Sequence, residues 1–485
     1  MKRHCTAISL MILSFVLVST FHQSAAQSKA EKIDALMKLY HEYGQFNGSV
    51  LVAENGTVIL KKGYGFANME WGTLNQSDTR FRLGSITKQF TSMLVMQLVQ
   101  QGRIKLDGKI RDYLPDYPKK TGDKITIYHL LTHTSGIPSY TGFANFRRDL
   151  ERNAYTPDAF VKMFSDSGLL FEPGTQWSYS NSGYFLLGAV IEKVTGKSYE
   201  QMLSENILAP LKMEGTGYDH SQAIITKRAA GYEKRGDKYV NADYLDMSLP
   251  YSAGSLYSTV EDLFVWDQAL YGDKLISAVN KAKMFTPFLN NYACGWGTAA
   301  TLVGSTTDTV STLEHGGGIN GFNTLICRVP REKHLIVLLN NTGGARLASI
   351  RRSILGVLYN KPFNGPKKSV ADKLFATMME KGIAAGLESY REMREKRTDE
   401  YSLIESEMNT IGYQFLNQDK FDEAIAVLRL NAEAFPKSSN VYDSLGEAFM
   451  MKGEKDLAIK NYEKTLELDP RNTNAVDKLK ILRGK

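Results

Sequence analysis

The chain has 485 residues, of which 43% are hydrophobic and 23% are charged, a composition typical of soluble globular proteins. This length predicts two or three domains and allows a large buried core. The formal net charge is +7, and it falls to +5 without Lys2 and Arg3. The remaining excess is spread along the chain, which argues against nucleic acid as a partner.

The first 26 residues have the features of a secretory signal peptide. Lys2 and Arg3 form a charged start, an apolar stretch runs from Ile8 to Phe21, and small residues precede a cleavage site near Ala26. An N-terminal membrane anchor is the alternative, although the apolar stretch is short for a span. We therefore expect a periplasmic or secreted protein with no membrane span in the mature chain.

Residues 27–362 combine strand and helix patterns and predict one α/β domain. One hairpin is predicted near the start, with a turn at Glu54–Gly56, and a second hairpin near the end. Because strands lie at both ends with helices between them, we expect a sheet closed by the two ends of the domain. The predicted elements are strands at Gly48–Ala53 and Val58–Tyr64, a helix at Thr87–Gln101, and strands at Phe322–Val329 and His334–Asn340.

The stretch Ser85-Ile86-Thr87-Lys88 places a hydroxyl and an amine three residues apart at the start of an apolar run. Residues with this spacing share one face of a helix, so Ser85 and Lys88 could meet without help from other elements. A hydroxyl that acts as a nucleophile needs a neighbour that manages its proton. The alternative is an N-cap serine followed by a surface lysine, and this pattern alone does not separate the two.

Two further motifs follow in order along the chain. Tyr179-Ser180-Asn181 lies in a loop rich in Gly, Ser and Tyr, just before a predicted helix. Glu314–Gly318, with the sequence EHGGG, lies just before a predicted strand. Taken alone, Tyr179 would be a packing aromatic residue and His315 a strand histidine. Together with the Ser-Lys pair, the three ordered motifs indicate a catalytic site.

With these motifs, the chain resembles the serine β-lactamase-related hydrolases of the class C type over roughly residues 35–360. That family carries S-x-x-K, Y-x-N and K/H-x-G motifs in this order. It includes class C β-lactamases, D-alanyl-D-alanine carboxypeptidases, D-aminopeptidases and family VIII esterases. Residues 130–137 (LLTHTSGI) and 253–258 (AGSLYS) are similar to its framework stretches. The resemblance implies a β-lactamase/transpeptidase-like fold, with an antiparallel sheet flanked by helices plus an all-α subdomain.

The resemblance also implies roles for the motif residues. Ser85 would attack a carbonyl carbon and form an acyl-enzyme, without a metal or an organic cofactor. Either Lys88 or Tyr179 would be the general base. A free tyrosine has a pKa of ~10, so Tyr179 could act as a base only if positive charge on Lys88 or His315 lowered that pKa. The remaining expected members are Asn181 as a ligand of Lys88 and the substrate, the N–H groups of Ser85 and Gly318 as an oxyanion hole, and Gly316 and Gly317 as substrate-binding residues.

His315 differs from the lysine that true β-lactamases carry at this position. Histidine is largely neutral at pH 7, whereas a permanent cation suits a substrate carboxylate. We therefore expect peptidase, aminopeptidase or esterase chemistry rather than efficient β-lactam hydrolysis. The alternatives are a non-hydrolytic penicillin-binding or sensor protein, and a repeat-based scaffold with a relic hydrolase domain.

Other motif matches lack the context that their chemistry needs. Lys120-Thr121-Gly122 precedes Tyr179 and lies in a polar loop, and Tyr239-Val240-Asn241 lacks a glycine-rich loop before a helix. We reject both. His129 and His133 are four residues apart, but no third zinc ligand is evident, and we interpret them as structural.

The mature chain contains two cysteines, Cys294 and Cys327. Two thiols do not make a disulfide framework, although they could pair in an oxidising compartment. Both lie in apolar, strand-like runs, Tyr292–Trp296 and Phe322–Val329. We expect buried free thiols rather than a disulfide.

Residues 363–369 (FNGPKKS) predict a linker, and the pattern after them is helical. Residues 370–405 predict a divergent helix pair, and residues 406–485 predict two tetratricopeptide repeats with a capping helix. Small residues, large residues and a proline recur with a period of 34 residues. The matching positions are Ile411-Gly412, Phe415, Ala424, Leu428 and Pro436, and then Leu445-Gly446, Phe449, Ala458, Tyr462 and Pro470.

The sequence thus predicts an exported serine hydrolase followed by an all-α tetratricopeptide module. Its substrate would be a small molecule or a peptide with an ester or amide bond, including a D-amino-acid peptide or ester. The loops at residues 136–148 and 239–252 are expected to line the pocket. A stack of repeats offers a groove for a protein partner.

Overall fold

The computed structural model describes residues 27–235 and 238–484. The predicted signal peptide lies outside the described residues. Among the helices of those residues, none combines the length and the apolar character that a membrane crossing requires.

Among the described residues, the β structure comprises one large sheet, one three-stranded sheet and three short strand pairs. The strands are β1 (Gly48–Glu54), β2 (Thr57–Tyr64), β3 (Phe66–Asn68), β4 (Thr73–Leu74), β5 (Phe81–Arg82), β6 (Gly217–Tyr218), β7 (Tyr232–Arg235), β8 (Lys238–Asn241), β9 (Leu256–Ser258), β10 (Gly297–Leu302), β11 (Thr309–Ile319), β12 (Phe322–Val329), β13 (His334–Asn340), β14 (Lys368–Ser369) and β15 (Tyr401–Ser402). The three-stranded sheet has the order β5-β9-β6. The large sheet is antiparallel with the order β10-β11-β12-β13-β1-β2. It is the centre of what is called here the sheet domain, residues 29–358.

Strand β1 pairs with β2 on one side and with β13 on the other. Gly48 lies opposite Asn340, and Ala53 lies opposite Leu335. The two ends of the sheet domain therefore meet in adjacent strands. Both predicted hairpins, and the closure of the sheet by the ends of its own domain, are confirmed.

Helices cover both faces of the sheet and make up the C-terminal part of the chain. They are α1 (Lys29–Glu42), α2 (Thr87–Gln100), α3 (Ile110–Tyr113), α4 (Lys119–Gly122), α5 (Ile127–Leu131), α6 (Pro157–Ser165), α7 (Asn181–Thr195), α8 (Tyr199–Leu203), α9 (Ala209–Leu211), α10 (Tyr251–Gly254), α11 (Val260–Ala269), α12 (Ala278–Phe285), α13 (Leu347–Leu358), α14 (Val370–Glu395), α15 (Glu405–Leu416), α16 (Phe421–Ala434), α17 (Ser439–Lys452), α18 (Lys455–Leu468) and α19 (Thr473–Arg483). Short 3-10 turns lie at Gly84–Ile86, Tyr140–Gly142 and Leu289–Asn291.

Successive residues of β1 face opposite sides of the sheet, and both sides are buried. Val50 and Val52 share a core with α1 and α13, whereas Leu51 and Ala53 share a larger core with α2 and α11. Helix α2 lies within that larger core, and every residue from 87 to 96 is buried. A helix buried on all sides can place a polar side chain away from water, and Lys88 is in this segment.

The C-terminal helices, called here the helical module (residues 370–484), have their own hydrophobic core. Helix α14 is broken at Gly382, where φ is 83° and ψ is 177°. Helices α17 and α18 begin 34 residues after α15 and α16, respectively. A Cβ atom on Gly412 would lie 2.6 Å from Leu428, and one on Gly446 would lie 3.2 Å from Tyr462. Each helix pair therefore needs a small residue where its two members cross.

The helical module contacts the sheet domain through polar groups. Lys234 of β7 forms an ion pair with Asp372, and its carbonyl accepts a hydrogen bond from Gln414 Nε2 at 3.2 Å. Gln45 Nε2 donates to the Lys367 carbonyl at 2.6 Å, within a segment that has no helix or strand. These bonds hold the two parts in a defined contact.

Cys294 and Cys327 are free and buried, as predicted. Cys327 lies in β12, but the predicted strand around Cys294 is wrong. The N–H of Cys294 bonds to the Met284 carbonyl, and that of Ala293 bonds to Trp296 within its own turn. This apolar segment fills the core as a loop because its backbone finds partners without a neighbouring strand.

The buried ion pair between Asp267 of α11 and Arg328 of β12 fastens a helix to the sheet. The Arg328 guanidinium also lies 4.7 Å from the centre of the Tyr271 ring. Asp267→Ala would leave a buried cation without its partner, so we expect the free energy of unfolding in urea to fall by about 3–5 kcal/mol. Asp273→Ala removes a largely exposed partner of Lys281 and should cost about 1 kcal/mol or less. Equal losses in the two variants would contradict this account.

Candidate active site

Ser85 lies in the 3-10 turn Gly84–Ile86, which runs directly into α2. Leu83, the residue before this turn, donates its N–H to the Leu256 carbonyl at 2.7 Å, and its carbonyl accepts from Thr324 Oγ1 at 2.7 Å. These bonds tie the turn to β9 and β12. Ser85 is therefore held at the N-terminal end of a buried helix.

Lys88 lies one turn further along, and its side chain is fully buried. Its Nζ is 3.0 Å from Ser85 Oγ, 2.8 Å from Asn181 Oδ1 and 2.8 Å from the Ala253 carbonyl oxygen. All three neighbours are uncharged oxygen atoms. Burial therefore holds the pKa of Lys88 well below its ordinary value of 10.5 and favours the neutral amine.

Asn181 is the first residue of α7, and its side chain is held at both ends. Its Oδ1 accepts the hydrogen bond from Lys88, while its Nδ2 donates to Thr141 Oγ1 at 3.3 Å. Its backbone N–H donates to Ser139 Oγ at 3.1 Å. The segment 136–148 thus lies beside the motif residues and fixes which way the Asn181 amide faces.

Tyr179 precedes α7, and Lys88 Nζ lies 4.9 Å from the centre of its ring. Burial raises the pKa of Tyr179 above 10, and the neighbouring Ser85 side chain offsets only part of that rise. This direction is opposite to the lowering by neighbouring positive charge that Tyr179 would need in order to act as a base. The phenol is protonated at neutral pH.

His315 lies on β11 with both ring nitrogens engaged. Its Nδ1 is 2.6 Å from the Gly316 carbonyl, which can only accept, so this nitrogen carries the hydrogen. Its Nε2 then accepts from the Tyr292 hydroxyl at 2.9 Å. Burial, and to a lesser degree Lys88, lowers the pKa of His315 to about 4. His315 is neutral at pH 7 and supplies no positive charge to Tyr179.

Strand β11 extends past the end of β10, and the free edge of this extension faces the Ser85 turn. Ile319 lies opposite Phe322 across the two-residue turn between β11 and β12. In such a tight hairpin the pair that flanks the turn is a hydrogen-bonded pair. Opposite residues alternate in such a ladder, so Gly318 points its N–H and C=O away from β12. A Cβ atom on Gly84 would lie 3.0 Å from both the nitrogen and the oxygen of Gly318. The Gly318 N–H therefore lies close to the unpaired N–H groups of the first helical turn at Ser85.

The sequence search missed two contributors to this site. The Ala253 carbonyl binds Lys88, and the Tyr292 hydroxyl binds His315. Ala253 lies in the framework stretch 253–258, but a backbone acceptor leaves no side-chain signal. Tyr292 was noted only as the start of an apolar run.

The rejected motif matches lie in other elements. Lys119–Gly122 forms α4, and Lys238–Asn241 forms β8. Within residues 27–235 and 238–484, no group of three His, Cys, Asp or Glu side chains is placed to hold a metal ion.

The antiparallel sheet, the helices on both faces and the three clustered motifs define a β-lactamase/transpeptidase-like α/β protein. The family model described as "Beta-lactamase" matches residues 30–358, which make up more than half of the chain. The chain therefore belongs to the beta-lactamase family.

Individual relatives include both penicillin-binding proteins and hydrolases. Penicillin-binding protein 4* of Bacillus subtilis is 33% identical over 371 residues, covering 72% of this chain and 80% of that protein. A teichoic acid D-alanine hydrolase of Staphylococcus aureus is 31% identical over 265 residues, covering 54% of this chain and 60% of that protein. The solved structure of a D-stereospecific amidohydrolase from a Streptomyces species is 26% identical with a TM-score of 0.54, covering 66% of this chain and 96% of that one.

Gly317 is required by the close approach of β11 to the Ser85 turn. A Cβ atom there would lie 1.9 Å from the Leu83 carbonyl oxygen and 2.3 Å from Thr324 Oγ1. We expect Gly317→Ala to separate the turn from β11 and to lower the rate of ester hydrolysis at least 100-fold. Gly316→Ala, whose Cβ would lie 3.7 Å from the nearest atom, should lose much less. Comparable losses in the two folded variants would show that this close approach does not matter.

Proposed function

We propose that the chain is an exported serine hydrolase that cleaves an ester or amide bond through an acyl-enzyme on Ser85. The observation that carries the proposal is the buried Lys88 amine in contact with Ser85 Oγ and with two oxygen atoms that can only accept. A neutral amine has two hydrogens and one lone pair. The hydrogens satisfy Asn181 Oδ1 and the Ala253 carbonyl, which leaves the lone pair for the Ser85 hydroxyl proton.

In the proposed reaction, Lys88 takes the Ser85 proton as Oγ attacks the carbonyl carbon. The Ser85 and Gly318 N–H groups stabilise the resulting oxyanion, and each lowers the activation barrier by about 3 kcal/mol. The protonated Tyr179 hydroxyl gives its proton to the leaving group and recovers one from Lys88. A water molecule then hydrolyses the acyl-enzyme by the same proton transfers in reverse.

For the substrate, we favour a D-aminoacyl ester or amide over a β-lactam. The teichoic acid D-alanine hydrolase and the D-stereospecific amidohydrolase carry this chemistry in their names. In this chain, His315 is neutral and both its nitrogens are engaged by Gly316 and Tyr292. It therefore offers no cation to a substrate carboxylate of the kind that a β-lactamase lysine binds.

For the helical module, we propose two tetratricopeptide repeats that bind a protein or peptide partner. The support is the 34-residue spacing of helix starts and the small residues at Gly412 and Gly446. Export depends on the predicted signal peptide and belongs to the same proposal.

The nucleophile is tested by covalent labelling. A fluorophosphonate probe should add its mass to one peptide, the one that contains Ser85, as measured by mass spectrometry. Ser85→Ala should abolish both labelling and ester hydrolysis. Labelling that persists in Ser85→Ala would place the nucleophile elsewhere. One equivalent of product without further turnover would favour the sensor alternative.

Tyr179→Phe removes only the hydroxyl, so the ring should still pack and the fold should persist. We expect kcat to fall by ~10²–10⁴-fold, because proton transfer to the leaving group is lost. A chromogenic ester and a D-alanine amide measure the effect. The loss should be larger for the amide, whose leaving group needs the proton more. Activity within about threefold of wild type on both substrates would remove Tyr179 from the mechanism.

The pH profile tests which residue is the base. The lowered pKa of Lys88 means that its neutral form gains population as pH rises through that value. We therefore expect kcat/KM to rise along one limb with a midpoint well below 10.5, measured between pH 5 and pH 10. His315, with a pKa of about 4, should add no step, so His315→Gln should leave the midpoint unchanged. A midpoint near 6.5 that disappears in His315→Gln would identify His315 as the base instead.

A further inference from the structure

His133 follows α5, in the framework stretch 130–137, and is 1% exposed. Its φ is 58°, in the left-handed region that residues other than glycine seldom adopt. This backbone conformation turns both the carbonyl and the ring of His133 toward the loop that precedes α7. His133 makes no contact with Ser85 or Lys88 in the hydrogen-bond network described above, so the proposed mechanism gives it no role.

His133 accepts two hydrogen bonds from the residues on either side of Tyr179. The Ser178 N–H donates to the His133 carbonyl at 2.9 Å, and the Ser180 N–H donates to His133 Nδ1 at 3.1 Å. One residue thus holds the backbone immediately before and immediately after Tyr179. Because a backbone N–H can only donate, Nδ1 is unprotonated and the ring is a neutral acceptor.

The His133 ring also packs directly against the Tyr179 ring. Their centres are 4.2 Å apart, with an angle of 38° between the planes. The Tyr184 and Tyr292 rings lie 5.1 Å and 4.6 Å from His133, and both belong to the layer around Lys88 and His315. Backbone and ring contacts together leave Tyr179 little freedom to move its hydroxyl relative to Ser85.

We propose that His133 is a positioning residue that sets the Tyr179 hydroxyl against Ser85. It acts through the Ser178 and Ser180 backbone and through the stacked ring, without touching the substrate. The inference rests on the proposed function of Tyr179 as proton donor, and it assigns a second residue to that role.

The test compares His133→Gly with His133→Asn. Glycine and asparagine both tolerate the left-handed backbone, and both lose the ring. Only asparagine keeps an acceptor near the position of Nδ1. We expect His133→Gly to lower kcat at least 30-fold while KM stays within threefold of the wild-type value. His133→Asn should recover at least one third of the lost kcat on a logarithmic scale. A KM effect alone, or no difference between the two folded variants, would overturn the proposal.

A double-mutant cycle with Tyr179→Phe makes the test specific. If His133 acts through the Tyr179 hydroxyl, His133→Gly should lower kcat no more than threefold further in the Tyr179→Phe background. Multiplicative losses would show that His133 acts on something else and would overturn the inference. If wild-type protein neither labels at Ser85 nor turns over, the proposed function itself fails, which is a different outcome.

His334→Gly is the matched control. His334 is also a buried histidine whose Nδ1 accepts a backbone N–H, that of Asn55, at 3.1 Å. His334 lies at the end of β13 where it pairs with Val329. The candidate active site lies at the other end of this strand pair, where Asn340 pairs with Asn323. We expect His334→Gly to lower the melting temperature but to leave kcat within twofold of wild type. A kcat loss equal to that of His133→Gly would mean that general destabilisation explains both.

Discussion

The burial of one amine, Lys88, determines how the rest of the site is built. Placing an amine away from water is costly unless it is hydrogen-bonded, and here its neighbours are oxygens from three separate elements. Ser85 comes from the turn before α2, Asn181 from the start of α7, and Ala253 from α10. None of these oxygens carries a charge, so the environment favours the neutral amine. The fold thus lowers the pKa of Lys88 by burying it without a counter-ion.

A second constraint is the close approach of two backbones. Leu83 and Gly84 lie against Gly317 and Gly318 so tightly that side chains are excluded at the contact. This approach brings the free edge of β11 beside the Ser85 turn, which is where N–H groups can stabilise a developing negative charge. The close approach explains Gly317, where a Cβ atom would lie 1.9 Å from the Leu83 carbonyl oxygen, whereas a Cβ atom on Gly316 or Gly318 would lie at an ordinary contact distance. The His315 ring is held by its bond to Tyr292.

Much of this arrangement could be predicted because the chemistry lies in short, ordered motifs. The Ser85–Lys88 pair needs only helical spacing, and the hairpins need only alternation and turn residues. The 34-residue spacing in the helical module likewise fixes where helices begin. These features depend on neighbours in sequence, which the sequence displays directly.

What could not be predicted depends on burial and on contacts between distant segments. The direction of the Tyr179 pKa required knowing that its ring is enclosed and that His315 is neutral. The Ala253 carbonyl carries no side-chain signature. The loop around Cys294 was mistaken for a strand, because apolar residues fill a core equally well in either conformation. The sequence indicates only a structural role for His133, because no third zinc ligand is evident. Its bonds to Ser178 and Ser180, more than 40 residues away, leave no signal in the sequence.

Measuring the pKa of Lys88 itself shows whether this amine can take the Ser85 proton at neutral pH. In protein labelled with ¹⁵N-lysine, the shift of the Lys88 ζ nitrogen can be followed against pH and assigned by its absence in Lys88→Arg. The account predicts a transition well below the ordinary value of about 10.4. A transition at or above that value would mean that the amine is charged at neutral pH and cannot take the Ser85 proton.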